Sequence, residues 1–185
     1  SSDVCSSDLE TGMNLTKEAV LTPFEIFPGV VVPAGNYHDA EARWIINSDM
    51  AAWLSLRLTL THGGFFGGHR VGTVTQLKFR LRETFSADLN WQWNDIDLVG
   101  GDFVTNLAQL RFNYSFTPKI FLQSLIQFND LDDLWSTNLR FGWLQAANAG
   151  LFLVYNDSRG IQARSDTISD RSLLLKFSWL FDLLD

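Results

Sequence analysis

Basic side chains recur along the chain, separated from one another by apolar residues at alternate positions. The set comprises Arg57, Lys78, Arg80, Arg82, Arg111, Arg140 and Lys176, together with one acid, Asp88. If these Arg and Lys side chains form rings that line a water-filled passage, the passage would favour anions. Alternatively, Asp88 pairs with Arg80 and Arg111 on neighbouring strands, and the set forms a structural network. Because narrow interiors are commonly filled by side chains, we favour the structural network.

Other residue types with chemical potential lack the spacing that a site needs. The acids of "NDLDDL" offer oxygen ligands for calcium but not the full loop pattern of an EF-hand; they are Asp130, Asp132 and Asp133. The histidines show no ligand spacing; they are His38, His62 and His69. No Gly-x-Ser-x-Gly turn for a nucleophilic serine is present. No metal site, cofactor or catalytic residue is therefore predicted.

Apolar and polar residues alternate in the segments that carry these side chains. In "FSADLNWQWND", Leu89 and Trp93 fall on one face of an extended strand and Asp88 on the other. The same period predicts nine strands, at residues 38–47, 51–62, 72–82, 84–95, 103–115, 119–129, 134–145, 150–157 and 171–181. The segment 14–27 is a candidate tenth strand, interrupted by Pro23. Since no helical period competes, the predicted fold class is all-β.

Strand length, charge placement and connection length favour a membrane barrel over a soluble sandwich. The predicted strands have about ten residues, enough for a tilted strand to cross a bilayer, whereas ordinary strands have about 5–6. The middle positions of their apolar faces carry no charged residue. Outer-membrane barrels alternate short periplasmic turns with longer outer loops. Long connections are predicted at 62–72, 96–102, 129–134 and 156–170, and short ones at 47–50, 82–84, 116–119 and 146–150.

Aromatic residues on the apolar faces concentrate toward the ends of the predicted strands. Amphipathic rings favour the two membrane–water interfaces, where they form paired girdles. The predicted interface aromatics are Trp44, Phe85, Trp93, Tyr114, Trp135, Trp143, Phe177, Trp179 and Phe181. On the last strand, the alternation of Phe177, Trp179 and Phe181 resembles the C-terminal signal read by the barrel-assembly machinery, although "DLLD" follows.

Composition narrows the class of partner. Hydrophobic residues make up 46% of the 185 residues and aromatic residues 14%, yet the mean hydropathy is +0.01. No run reaches the roughly 18 apolar residues of a membrane helix. The net charge of -7 argues against nucleic acid, which calls for a basic footprint. Cys5 is the only cysteine, so neither a disulfide framework nor a thiolate metal site is predicted.

The first nine residues, "SSDVCSSDL", do not read like the start of a fold. They lack the basic and apolar regions of a signal peptide, and their codons can be chosen to spell a common sequencing adapter. We therefore predict that residues 1–9 are a disordered assembly artefact. Residues 10–185 would then form an outer-membrane β-barrel fragment, with the upstream part of the protein missing.

Six stretches follow one another as the motifs of a single protein family do: "PFEIFPGVVVPAGNY" (23–37), "GGFFGGHR" (63–70), "NDIDLVGGDFVTN" (94–106), "LRFNYSFTPKIFLQSLIQFN" (110–129), "WSTNLRFGW" (135–143) and "LFLVYND" (151–157). They resemble the C-terminal β-barrel domain of an uncharacterised family of outer-membrane proteins that carry an N-terminal module similar to family-nine carbohydrate-binding domains. The resemblance implies a longer parent with a signal peptide and a sugar-binding-like module. It carries over no catalytic residue.

These observations together predict the C-terminal part of an antiparallel up-and-down transmembrane β-barrel, with a polar, basic lumen, in the bacterial outer membrane. The expected partners are outer-membrane lipid, the barrel-assembly machinery and, through the module implied by the resemblance, a glycan. Transport, surface binding and anchoring all fit this architecture. Two alternatives stay open: a soluble β-sandwich binding module, and a barrel enzyme whose catalytic parts lie upstream.

Overall fold

The computed structural model of the chain describes residues 8–146, 149–160 and 169–179. Their strands are β1 (Asp8–Val20), β2 (Phe24–Phe27), β3 (Val30–Val32), β4 (Gly35–Asn47), β5 (Leu54–Phe65), β6 (Gly68–Leu81), β7 (Phe85–Leu98), β8 (Gly101–Thr117), β9 (Ile120–Asn129), β10 (Leu134–Ala146), β11 (Ala149–Gly160) and β12 (Asp170–Ser178). Among the described residues, no helix is long and apolar enough to cross a membrane.

Ten of the described strands form one antiparallel sheet, in the order β1-β4-β5-β6-β7-β8-β9-β10-β11-β12, while β2 and β3 form a separate two-stranded sheet. From β4 to β12, each strand lies beside the next one in sequence, which is an up-and-down order. Within the described residues β1 and β12 each have one neighbour, so the sheet is not closed. The prediction of an all-β antiparallel fold is confirmed, whereas closure into a barrel stays a prediction.

The nine predicted strands correspond to β4 through β12, and the segment 14–27 divides between the two sheets. β1 ends at Val20, and the residues after Pro23 form β2 in the small sheet. Proline has no backbone N–H and cannot donate to a strand ladder, which explains the break. β1 begins at Asp8, opposite Asn47, and thus before the predicted domain start at residue 10.

Two connections predicted to be long are two-residue turns, so the expected alternation of long and short connections is wrong at 62–72 and 96–102. β5 and β6 are joined by residues 66–67, and β7 and β8 by residues 99–100. The connection from β4 to β5, predicted to be short, spans 48–53. The predicted alternation therefore does not support the barrel interpretation.

Glycines explain why the segment 62–72 forms strand rather than loop. A Cβ added at Gly63 would lie 2.5 Å from Cα of Glu41, and one at Gly72 would lie 2.8 Å from Oδ1 of Asn94. Glycine in a strand permits such a close approach. The turn itself places Phe66 at φ +47° and Gly67 at φ +74°, as a type I′ hairpin turn requires.

The described residues fall into two compact units. Within the described ranges, the first unit contains residues 8–77 and 90–107, and the second contains residues 78–89, 108–146, 149–160 and 169–179. A buried cluster lies in the first unit, where the β2–β3 hairpin packs against β7 and β8; it consists of Val30, Val32, Ile96, Leu98 and Phe103. Phe65 and Phe66 pack against the same cluster.

This hairpin was not predicted from the sequence, although a local signal for it exists. Pro28 and Gly29 stand between two apolar runs, a dipeptide that marks turns. Gly29 adopts φ +83°, which glycine tolerates without a steric penalty. Its N–H donates to Oε1 of Glu25 at 2.6 Å.

Candidate functional site

The register of the strands separates the side chains of the second unit into two faces. Residues directly opposite one another in an antiparallel pair share a face. One row across β9 to β12 is formed by Ile120, Trp143, Leu151 and Phe177. A row on the other side is formed by Leu125, Asn138, Asn156 and Ser172. We call the first side of the sheet the apolar face and the second side the polar face.

The first unit shows the same division between β4 and β5. Trp44 lies opposite Leu60 on the apolar face, and Asn47 lies opposite Arg57 on the polar face. The β2–β3 hairpin covers part of this polar face, because Tyr37 and Phe65 pack against its buried cluster. Part of the polar face of the first unit therefore consists of apolar side chains under the hairpin, which was not predicted from the sequence.

Most of the predicted interface aromatics are exposed on the apolar face. Trp143 is 54% exposed and Phe177 is 67% exposed. Trp44, Tyr114, Trp135 and Trp179 are also exposed, whereas Phe85 and Trp93 are half-buried. Phe181 lies outside the described residues.

Within the second unit, aromatic pairs lie at both ends of the strands. Near the 82–84 turn, the Phe85 ring lies 5.8 Å from Phe79 and 6.3 Å from Tyr114. At the 130–133 turn, Phe128 and Trp135 pack edge to face at 6.2 Å. The Trp135 indole N–H donates to Oγ1 of Thr137 at 3.1 Å, so its polar edge is satisfied within the same strand.

Amide and hydroxyl side chains form cross-strand hydrogen bonds on the polar face. In the first unit, Asn94 Nδ2 donates to Oγ1 of Thr105 at 3.1 Å. In the second unit, Asn113 Nδ2 donates to Oγ of Ser86 at 3.2 Å, and Asn138 donates to Asn156. Such groups require hydrogen-bond partners or water, so this face suits an aqueous environment.

The predicted basic side chains do not form one network. Arg57, Lys78 and Asp88 are half-buried, whereas Arg80, Arg111, Arg140 and Lys176 are exposed; Arg82 follows β6 and lies in the turn at φ +53°. Among the described residues, the salt bridges join Glu41 to Arg70 and Asp157 to Arg159 and Arg171. No salt bridge joins Asp88 to Arg80 or Arg111 in that part of the chain, so the expected structural network is not supported there.

Two of the predicted basic residues line one cavity on the polar face of the second unit. The cavity has a volume of about 260 Å³, and Arg111 of β8 and Arg140 of β10 stand among its lining residues. Three amide side chains line it as well: Asn113, Gln123 and Asn138. Ser124 and Leu125 complete the lining. The lining therefore supplies hydrogen-bond donors and positive charge but no carboxylate.

An aromatic pair positions one of these arginines. The guanidinium carbon of Arg140 lies 4.9 Å from the Phe152 ring centroid and 5.9 Å from that of Phe121. The Phe121 ring lies beside Gly142, where an added Cβ would come within 2.6 Å of Cε1 of Phe121. Stacking on an aromatic face restrains a guanidinium, so the sheet holds Arg140 at the cavity.

Glu41 and Arg70 form an ion pair on the polar face of the first unit. Nε and Nη2 of Arg70 donate to Oε1 of Glu41 at 2.8 and 2.5 Å. Gly63 of β5 lies opposite Glu41, so no side chain separates the partners at that position. The Arg70 guanidinium also lies 4.5 Å from the Phe65 ring centroid. This pair neutralises Arg70, in contrast to the arginines of the cavity.

Two histidines meet on the apolar side of the first unit, which the sequence spacing did not reveal. Nε2 of His69 lies 3.3 Å from Nδ1 of His62, because the 66–67 turn folds β6 back along β5.

Across the described ranges, no group of three or more His, Cys, Asp or Glu side chains is arranged to hold a metal ion. The acids of the 130–133 turn are occupied in part by the turn itself, since Asn129 donates to Asp132.

Comparisons with protein-family profiles, with curated protein sequences and with solved structures gave no match to this chain. The resemblance stated from the sequence motifs, and the glycan link that it implies, therefore stay predictions.

Proposed function

We propose that this chain forms part of a bacterial outer-membrane β-barrel, whose apolar face contacts lipid and whose polar face borders water. The observation that carries the proposal is the placement of exposed apolar side chains. On β4 through β12, those on the apolar face are Trp44, Ile46, Leu54, Val71, Leu81, Trp91, Val104, Tyr114, Phe116, Trp135, Trp143, Leu153, Leu173, Leu175 and Phe177. Leu134 and Leu174 lie on the other face.

The energetics of exposed apolar surface support a lipid environment. Covering a large apolar side chain contributes about 1.5–3 kcal/mol relative to leaving it in water, and monomeric soluble proteins rarely expose patches beyond a few hundred Å². An apolar face of this extent requires a covering, and lipid supplies it along the whole length of the strands. The opposite face keeps its amide and hydroxyl groups hydrogen-bonded, as a water-facing surface must.

Strand length and order also support the proposal. The strands of the large sheet have 9 to 17 residues, and about 9–11 tilted residues suffice to cross a bilayer. A soluble β-sandwich divides its strands between two packed sheets, whereas ten of the described strands follow one another within one sheet. The aromatic pairs near both strand ends fit interface girdles.

Transport or binding of polar solutes along the polar face is the role that we infer for the barrel. An anchoring role for a glycan-binding module rests on the motif resemblance. The aromatic residues near the end of the described chain, Phe177 and Trp179, are the contacts that we propose for the barrel-assembly machinery, because they are exposed and stack on each other at 6.1 Å.

A pair of neighbouring substitutions tests lipid contact. Leu89 lies on the apolar side of β7, and Asn90 lies on its polar side. An Arg on the lipid side near the bilayer midplane costs about 2–4 kcal/mol, so Leu89→Arg should reduce folding into lipid vesicles strongly, while Asn90→Arg should leave it nearly unchanged. Folding is read from the shift in gel migration between unheated and boiled samples.

Leu89→Arg and Asn90→Arg introduce the same charge on opposite sides of β7, so a difference between them reports which side contacts lipid. Equal behaviour of Leu89→Arg and Asn90→Arg would contradict lipid contact at β7. A wild-type chain that stays monomeric without detergent and shows no migration shift would refute the proposed function and favour the soluble module.

A further inference from the structure

We propose that the polar face of the second unit carries a binding site for small anions bearing a carboxylate or phosphate group, held between Arg111 and Arg140. The cavity between these arginines has a volume of about 260 Å³, which suits a small oxyanion with part of its carrier. Small oxyanions would then be the class of ligand that binds to the polar face. The physiological role of this binding rests on the proposed function.

The charge of the cavity is uncompensated by its own lining. Arg111 and Arg140 are both exposed, and neither is in a salt bridge within the described residues. Of the other described arginines, Arg70, Arg159 and Arg171 have carboxylate partners, whereas Arg43, Arg57, Arg80 and Arg82 are in no salt bridge within the described residues. What distinguishes Arg111 and Arg140 is that two unpaired arginines line one cavity whose lining contains no carboxylate, which leaves both guanidinium groups available to an external anion.

Asp88 is the acid nearest to Arg111 along the strand pairing. The contacts of Asn113 with Ser86 and of Asn94 with Thr105 fix the register of β7 against β8, and this register places Asp88 opposite Arg111. Asp88 nevertheless neither lines the cavity nor forms a salt bridge with Arg111. Its charge therefore weakens the site rather than occupying it.

The geometry of Arg140 favours binding over free motion. Phe152 and Phe121 flank its guanidinium at 4.9 and 5.9 Å, and the Phe121 ring is held beside Gly142. A guanidinium resting on a ring keeps its N–H edge free to pair with an oxyanion. Restraining the side chain before binding lowers the entropy lost when an anion is held.

The amide side chains of the cavity add neutral donors and acceptors beside the two charges. Gln123 lies directly opposite Arg140 in the β9–β10 pair, and Asn113 and Asn138 also line the cavity. Amides recognise hydroxyl groups as well as oxyanions. The site is therefore suited to an anion that carries hydroxyl groups near its charge, and inorganic phosphate and citrate are the probes that separate the two oxyanion sources.

Isothermal titration calorimetry of the full chain, in the detergent in which it folds, tests the site. Inorganic phosphate and citrate are titrated separately at low ionic strength, because salt screens exposed charges. Binding of at least one probe is expected. Arg111→Gln and Arg140→Gln should each weaken it about tenfold, the effect of losing a charge-assisted hydrogen bond. Arg80→Gln is the matched control, since Arg80 is exposed on the same face but does not line the cavity, and it should bind like the wild type.

A further variant separates positioning from folding. Phe152→Ala removes the ring under Arg140 and should weaken binding while leaving the gel-migration shift of the folded chain intact. No heat of binding for either probe up to tens of millimolar would overturn the proposal, as would equal losses from Arg80→Gln and Arg111→Gln.

The two proposals fail in different ways. A chain that stays monomeric without detergent would refute membrane insertion, and binding of a probe to that chain in buffer would leave the anion site standing. A chain that inserts into vesicles but binds neither probe would refute the anion site alone.

Discussion

At the scale of single residues, Gly142 shows how an absent side chain shapes the polar face of the second unit. The Phe121 ring occupies the space beside it and reaches toward Phe152, with ring centroids 6.5 Å apart. Covering a strand glycine with a cross-strand aromatic ring compensates for the missing side chain. Arg140 rests against the two rings that this arrangement brings together.

Gly142→Ala is therefore expected to destabilise the folded chain. The new Cβ would overlap the Phe121 ring, and overpacking of this kind costs about 1–3 kcal/mol. The matched control is Gly12→Ala on β1, where an added Cβ meets nothing within 4 Å. This substitution should leave the stability unchanged or raise it slightly, because alanine reduces the entropy of the unfolded chain. Urea unfolding in detergent measures both. Equal stability of the two variants would contradict the described position of Phe121.

At the scale of elements, the β2–β3 hairpin explains the buried cluster of the first unit. Phe27 stacks on Phe103 with ring centroids 4.5 Å apart and an interplanar angle of 9°, and Val32 is 2% exposed. The hairpin thereby forms a packed core over part of the polar face. This packing also explains why β7 continues through Ile96 and Leu98, where a loop was predicted.

A double-mutant cycle on Phe27 and Phe103 tests this packing. Phe103→Ala alone should cost about 3–5 kcal/mol because a buried ring is lost, and the two rings should couple by about 0.5–1.5 kcal/mol beyond their buried area. A second cycle pairs Phe27 with Trp44, which lies on the apolar face, and should be additive within about 0.5 kcal/mol. The measurement is the free energy of unfolding in urea. Additivity of Phe27 with Phe103 would mean that the hairpin does not dock there.

At the scale of the whole molecule, the net charge of the chain and the charge that lines the cavity have opposite signs. The chain carries a net charge of -7, yet the exposed charges that line the cavity of the polar face are arginines. A water-filled passage lined by such groups favours anions. The net charge of the sequence would therefore not predict the ion selectivity of such a passage.

Conductance of the full chain in a planar bilayer tests this distribution. Anions should carry more current than cations, and Arg111→Glu should lower that preference because it reverses one charge at the cavity. Arg57→Gln is the comparison within the first unit, where Arg57 lies opposite Asn47. A chain that inserts without conducting would contradict a passage and favour anchoring, while an unchanged preference in Arg111→Glu would place the selective charges elsewhere.

Local pattern predicted most of the fold. The alternation in segments such as 85–94 depends on neighbouring residues alone, so it located β4 through β12 and divided Leu89 from Asn90. Connection lengths were predicted less well at 62–72 and 96–102. Glycine is frequent in loops and also serves the close approach of strands, and only the neighbouring strand distinguishes these two uses.

The sequence by itself determined the class of structure, the two faces of each strand and the candidate basic residues. Periodicity of two is a local property and survives any arrangement of the strands. Only the tertiary structure decided which basic residues meet. Register between strands brought Arg111 and Arg140 to one cavity and gave Arg70 the carboxylate of Glu41. The same register placed Asp88 opposite Arg111, where no salt bridge forms within the described residues. It also placed His62 against His69 and the hairpin over Phe103, because contacts between distant segments depend on pairing and packing that no local pattern encodes.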